Sequence, residues 1–172
     1  MASVVIGSIL LSGCLSPGQV TSSPAIDTES GPPIMPAEAK ELTEAGAVAF
    51  ALHYFAQREY AMTTGHVGPL AALGEPTCAR CAGESQFIDE AWLMGNRWEG
   101  AATTISKMQI TGGQSPGPVD LTFVYAYGET KVIDVNGATV EAFPGSKDRL
   151  GRISLVPNGK SWLVSAFGAD GF

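Results

Sequence analysis

Near Arg97 the spacing of apolar residues changes from every third or fourth position to strict alternation, and that change confines the chain to folds that segregate helices from strands. Before it, Ala45, Val48, Ala49, Leu52, Phe55 and Ala56 recur at three and four, with Phe50, Ala51 and Tyr54 widening the stripe. This spacing predicts a long amphipathic helix. Pro36 suits its first turn, Glu38 and Glu41 complement its positive end, and Gly65 can stop it. A short helical piece is expected at Pro69–Leu73, closed by Gly74. A third helix is expected from an N-cap at Thr77 to about Met94, ended by Gly95-Asn96. After Arg97 come a β-branched run from Ala101 to Ile110 and the alternating set Val119, Leu121, Phe123, Tyr125 and Tyr127. Asn136-Gly137 and Asn158-Gly159 read as two-residue hairpin turns. They would place Ile133 opposite Val140, Leu155 opposite Trp162 and Ile153 opposite Val164. The expected class is α+β: about three N-terminal helices packed on an antiparallel sheet of four or more strands.

With 172 residues, 45% of them hydrophobic, the chain can bury one core but hardly two. Its net charge of −7 argues against nucleic acid, whose phosphates need a basic stripe, and against electrostatic docking on anionic lipid. Any membrane attachment must then be apolar or covalent. Val4 to Leu11 forms a short apolar run of the kind found in export signals, and thirteen residues before Cys14 are too few to span about 30 Å of hydrocarbon as a helix. Leu11-Ser12-Gly13-Cys14 resembles the bacterial lipobox, in which an aliphatic residue and two small residues precede the cysteine that receives lipid. The small residues let a peptidase take extended backbone, and the thiol is the nucleophile that thioether formation needs. No Lys or Arg precedes the apolar run, so the natural start is expected upstream of Met1. The expected organisation is a signal peptide over 1–13, a lipidated Cys14 with a Ser/Pro/Gly tether over 14–35, and one α+β domain over 36–172. That arrangement puts the domain at the extracellular face of the cytoplasmic membrane.

Cys78-Ala79-Arg80-Cys81 is the most conspicuous constellation. A redox dithiol at a helix N-terminus would use Arg80 and the helix dipole to lower a thiol pKa, but no βαβ unit surrounds it. A zinc site would need two more ligands, and only His53 and His66 exist. A structural disulfide, formed in an oxidising compartment, asks for least; its four-residue loop limits its stabilisation to roughly 2 kcal/mol on the loop-entropy model. His53 within the long helix and His66 in a turn carry no recognisable triad order, and no phosphate-binding glycine loop occurs. Asp89 or Glu90 facing an apolar pocket would act as an acid or base; otherwise Glu84, Asp89 and Glu90 form a solvated face. Trp92, Trp98, Phe123, Tyr125 and Trp162 are candidates to line a pocket, although aromatic residues on a strand face are more often core. No cofactor or metal is expected.

Gly46-Ala47-x-Ala49-Phe50, Tyr54, Tyr60-Ala61-x-x-Thr64-Gly65, Pro69-Leu70-x-x-Leu73 and Cys78-x-x-Cys81 together resemble an uncharacterised family of actinobacterial lipoproteins. The order of three helices and then a curved antiparallel sheet is similar to the nuclear-transport-factor-2-like cone fold, shared with polyketide cyclases and dehydratases. That likeness implies location and fold but not activity, because the fold hosts both enzymes and binding modules. Two readings follow: a non-catalytic module that binds an envelope protein or a small apolar ligand, or a cone-fold isomerase, cyclase or hydrolase.

Overall fold

The computed structural model describes residues 31–100 and 102–169. Cys14, the expected signal sequence and most of the expected tether lie outside them. Three helices, α1 (Glu44–Thr64), α2 (Gly68–Ala71) and α3 (Ala79–Leu93), precede seven strands: β1 (Arg97–Glu99), β2 (Thr103–Gly113), β3 (Val119–Tyr127), β4 (Thr130–Ile133), β5 (Thr139–Phe143), β6 (Ser146–Pro157) and β7 (Trp162–Ala169). The strands form two antiparallel sheets, a four-stranded one in the order β2-β3-β6-β7 and a three-stranded one in the order β1-β4-β5. The helices pack on them, giving the expected α+β class with its strands divided between two sheets. Among the described residues no helix is long and apolar enough to cross a membrane.

The long helix starts later than Pro36. A single 3₁₀ turn at Glu38–Lys40 is broken at Glu41, whose backbone is extended, and α1 begins only after Thr43. The Thr43 side chain accepts a hydrogen bond from the Gly46 N–H at 3.0 Å, satisfying one of the orphan donors of the first turn. Gly46 permits the break: a Cβ there would stand 2.0 Å from the Glu41 carbonyl oxygen. At the other end Gly65 adopts φ +76° and donates its N–H to the Ala61 carbonyl, the left-handed cap its sequence position suggested.

The buried stripe of α1 is also rotated from the expected one. Ala47, Phe50, Ala51, Tyr54, Gln57 and Ala61 are buried, whereas Ala45 is exposed and Val48, Ala49, Leu52, Phe55 and Ala56 are only half-buried. The helix is apolar over most of its circumference here, so periodicity fixed the element and not its phase. The larger rings of Phe50 and Tyr54 took the inner face. The third helix is capped by Cys78 rather than Thr77, with the Cys78 sulfur accepting the Cys81 N–H at 3.2 Å.

Strand pairing shows the same pattern of right elements and shifted detail. Leu155 pairs with Val164, Pro157 with Trp162 and Ile153 with Phe167, because the second Asn-Gly loop holds four residues rather than two. Asn158 closes it, its side-chain oxygen accepting the N–H groups of Lys160 and Ser161. At the first, Asp134 accepts the N–H groups of Asn136 and Ala138, and Ile133 pairs with Thr139 instead of Val140. Those bonds to the ionised carboxylate hold the Asp134 pKa below its ordinary value, the Ala138 N–H first among them. Bulges bend the large sheet where Lys107 and Asp148 take positive φ, at irregularities in the β2–β3 and β3–β6 ladders.

Candidate functional site

The alternating face of β3 serves two purposes along its length. Val119, Leu121 and Phe123 are buried, while Tyr125 and Tyr127 are half-buried. Beyond the core, the same face becomes the wall of a cavity of about 650 Å³. α1 contributes Phe55, Arg58 and Met62. α3 contributes Ala79, Arg80, Gly83, Glu84, Phe87 and Ile88. The large sheet gives Thr103, Ile105, Phe123, Tyr125, Tyr127 and Phe167, and the small sheet Trp98, Thr130 and Phe143. The aromatic rings are interlocked. Phe55 meets Phe123 edge-on at 4.9 Å, Trp98 meets Phe87 at 5.5 Å and stacks with Phe143 at 6.1 Å, and Tyr125 stacks with Tyr127 at 6.1 Å.

Phe123 fits because Gly151 is its neighbour across the β3–β6 ladder; a Cβ on Gly151 would lie 2.4 Å from two ring atoms. Gly151→Ala should therefore swing the ring toward the open side, the cavity. The expected cost is about 1–3 kcal/mol, read by chemical denaturation, with the cavity correspondingly smaller in a crystal structure of the variant. An unchanged ring position would contradict this packing.

Arg58 and Glu84 form the polar element of the wall. The Arg58 Nε donates to Glu84 Oε1 at 2.5 Å, and the two side chains retain 28% and 14% exposure. Burial alone would lower the Arg58 pKa, but the charge and hydrogen bond of Glu84 outweigh it and hold the guanidinium firmly charged. Beneath them the buried Tyr54 hydroxyl lies near Glu84 without a hydrogen bond of ordinary geometry; burial first, then that negative charge, pushes its pKa well above the usual phenol range. Sequence reasoning placed Glu84 on a solvated face and overlooked Arg58. Asp89 and Glu90 are indeed exposed, but Glu84, five residues before Asp89 on the same helix, is only partly exposed and lines the cavity. Its partner is 26 positions away, a separation no local pattern reveals.

Of the five aromatic candidates, Trp98, Phe123 and Tyr125 line the cavity and Trp92 and Trp162 do not. Trp92 is a strut between α3 and the end of α1: its indole N–H donates to the Met62 carbonyl at 3.1 Å, and the Arg97 guanidinium sits 3.8 Å over its ring. Trp162 is buried in the core and donates to the Glu41 carbonyl at 2.9 Å.

Cys78 and Cys81 are joined by a disulfide, and both are buried. The segment before them is clamped to β7: the Val164 N–H donates to Leu73 and the Glu75 N–H to Val164, at 2.9 and 2.8 Å. The Cys81 sulfur lies 3.6 Å from the same Val164 carbonyl. Thiol exchange needs in-line access to a sulfur, which this packing denies, so the geometry suits a staple better than a redox centre. Among the described residues no group of three or more His, Cys, Asp or Glu stands together to hold a metal.

Neither histidine lines the cavity. His66 is exposed, its Nδ1 3.1 Å from the Tyr60 hydroxyl. His53 is buried beside Gln57, whose amide donates to the Pro33 carbonyl at 2.5 Å and so ties the entering chain to α1. Burial lowers the His53 pKa. A base whose folded pKa lies below its unfolded value of about 6.5 contributes fully above that pH. Its contribution is lost as pH falls from there toward the folded value, where the unfolded chain binds the extra proton. The melting temperature of the wild-type chain should accordingly fall more steeply below about pH 6.5 than that of His53→Gln. Parallel pH profiles for the two proteins would refute the assignment.

A family of unknown function, DUF6318, matches residues 22–167, and the chain belongs to it. A comparison with curated proteins finds no match. Among solved structures the chain is similar to Aln2 from a Streptomyces species, at 15% identity over 75% of this chain and 93% of that one, with a TM-score of 0.45. It is similar to the intermembrane space region of the chloroplast protein ARC6, at 10% identity over 75% and 97%, with a TM-score of 0.48. It is also similar to a putative calcium/calmodulin dependent protein kinase II association domain from Xanthomonas campestris, at 14% identity over 73% and 86%, with a TM-score of 0.46.

Proposed function

We propose that this chain is a lipid-anchored envelope lipoprotein, of the actinobacterial kind its sequence resembles, whose cone-like domain binds a small apolar ligand without transforming it. The observation that carries the binding role is the cavity of about 650 Å³, walled chiefly by aromatic rings. Its size falls within the range of sites that enclose a small organic molecule. Its chemistry favours holding over reacting. The carboxylate in its lining, Glu84, is paired through Oε1 with Arg58, and no histidine or cysteine is among the lining residues. The test is equilibrium binding of a neutral fluorescent probe, 1-aminoanthracene, to the full chain. Saturable binding that Gly151→Ala weakens is expected; binding that does not saturate, or is indifferent to that substitution, would defeat the reading.

The anchor rests on Leu11-Ser12-Gly13-Cys14 and on a surface too acidic to hold anionic lipid by charge. Cys14 is proposed to carry diacylglycerol after cleavage behind Gly13, holding the domain at the extracellular face of the cytoplasmic membrane. Cys14→Ser, expressed from its natural start, should release the protein to the medium. Membrane retention of that variant at high salt would argue against the anchor.

A further inference from the structure

We infer that the ligand of this cavity is an apolar molecule bearing a carboxylate, and that the outer edge of the Arg58 guanidinium receives it. The inference rests on the cavity being the binding site and concerns the chemistry of its occupant. Arg58 has five N–H donors in a planar fork. Glu84 occupies only the Nε edge. Among the described residues no hydrogen bond reaches either Nη atom, yet the side chain is 28% exposed and lines an enclosure rich in aromatic rings. Four N–H donors are thus left over on a side chain that lines the cavity together with Phe55, Phe123 and Tyr125. An unmatched guanidinium edge in such a setting is best satisfied by a planar anion, which accepts two parallel hydrogen bonds. Glu84 has a role in this arrangement. It holds the guanidinium through Nε, leaving the Nη atoms to a ligand, and it lowers the cost of keeping that charge in the wall before the ligand arrives.

The experiment is displacement of 1-aminoanthracene from the full chain by two competitors of nearly equal shape, 2-naphthoate and 2-naphthamide. In the wild-type chain the carboxylate should displace the probe at about a tenfold lower concentration than the amide, since a charge-assisted pair exceeds a neutral one by roughly that factor. Arg58→Met should erase the preference, the amide and the carboxylate then displacing the probe at similar concentrations. Arg58→Lys keeps the charge and loses the fork, so it should retain part of the preference, which covers the case in which the methionine variant fails to fold. Glu84→Gln removes the competing anion and should increase carboxylate affinity severalfold with little change for the amide. Equal displacement by the two competitors in the wild-type chain, or a preference that survives Arg58→Met, overturns the inference and leaves the cavity reading standing. Failure of 1-aminoanthracene to bind at all overturns the cavity reading itself.

Discussion

Trp162→Ala should bring the domain close to unfolding. The indole is 1% exposed, at the start of β7, and its N–H donates to the Glu41 carbonyl in the break between the 3₁₀ turn and α1. Its loss combines the transfer free energy of the ring, the cavity left behind and an orphaned carbonyl, about 3–5 kcal/mol together. Domains of this size are stable by only about 5–15 kcal/mol. Urea denaturation followed by circular dichroism would show a midpoint lowered by a third or more, or no folded baseline. A shift of a few tenths of a kcal/mol would mean that Trp162 is not the joint between the chain's first turn and the sheet. Phe50→Ala, on the fully buried face of α1, belongs to the same class. Phe123→Ala should cost less, because one side of that ring already faces the cavity and lacks packing partners there.

Arg58→Met should destabilise the domain markedly, and adding Glu84→Leu should restore most of the loss. Removing one partner strands a mostly buried charge. For a fully buried pair that costs about 3–5 kcal/mol, and the remaining exposure of 28% and 14% brings the expectation down to about 2–3 kcal/mol through partial solvent screening. Replacing both partners by apolar groups removes the desolvation cost along with the attraction, so the double variant should approach wild-type stability. Denaturation of the four proteins forms a double-mutant cycle. Additive losses would show that the pair contributes nothing to holding α1 against α3. Recovery of stability in the double variant, with loss of the carboxylate preference, would separate the pair's role in folding from its role toward a ligand.

The helices and strands were legible because each depends on local spacing. The alternation from Val119 to Tyr127, the left-handed stop at Gly65 and the turn residues Asn136 and Asn158 act over a few positions, and the structure keeps every one of those elements. Register was less legible. Asn-Gly marks a turn, but side-chain oxygens of Asp134 and Asn158 lengthen each loop and move the pairing. The phase of α1 was illegible, since a helix apolar over most of its surface does not declare which face is inner.

The sequence by itself determined the order of helices before strands and the places where each element stops, because these follow from backbone sterics and short-range periodicity. Only the tertiary structure decided which apolar residues became core and which became cavity wall. Trp162 and Trp98 are both buried tryptophans on strands, yet only Trp98 also lines the cavity, because the two sit in different sheets among different neighbours. Only the tertiary structure could bring Arg58 to Glu84: a charge pair is made by the approach of two helices, and its energy depends on a burial that no stretch of sequence contains.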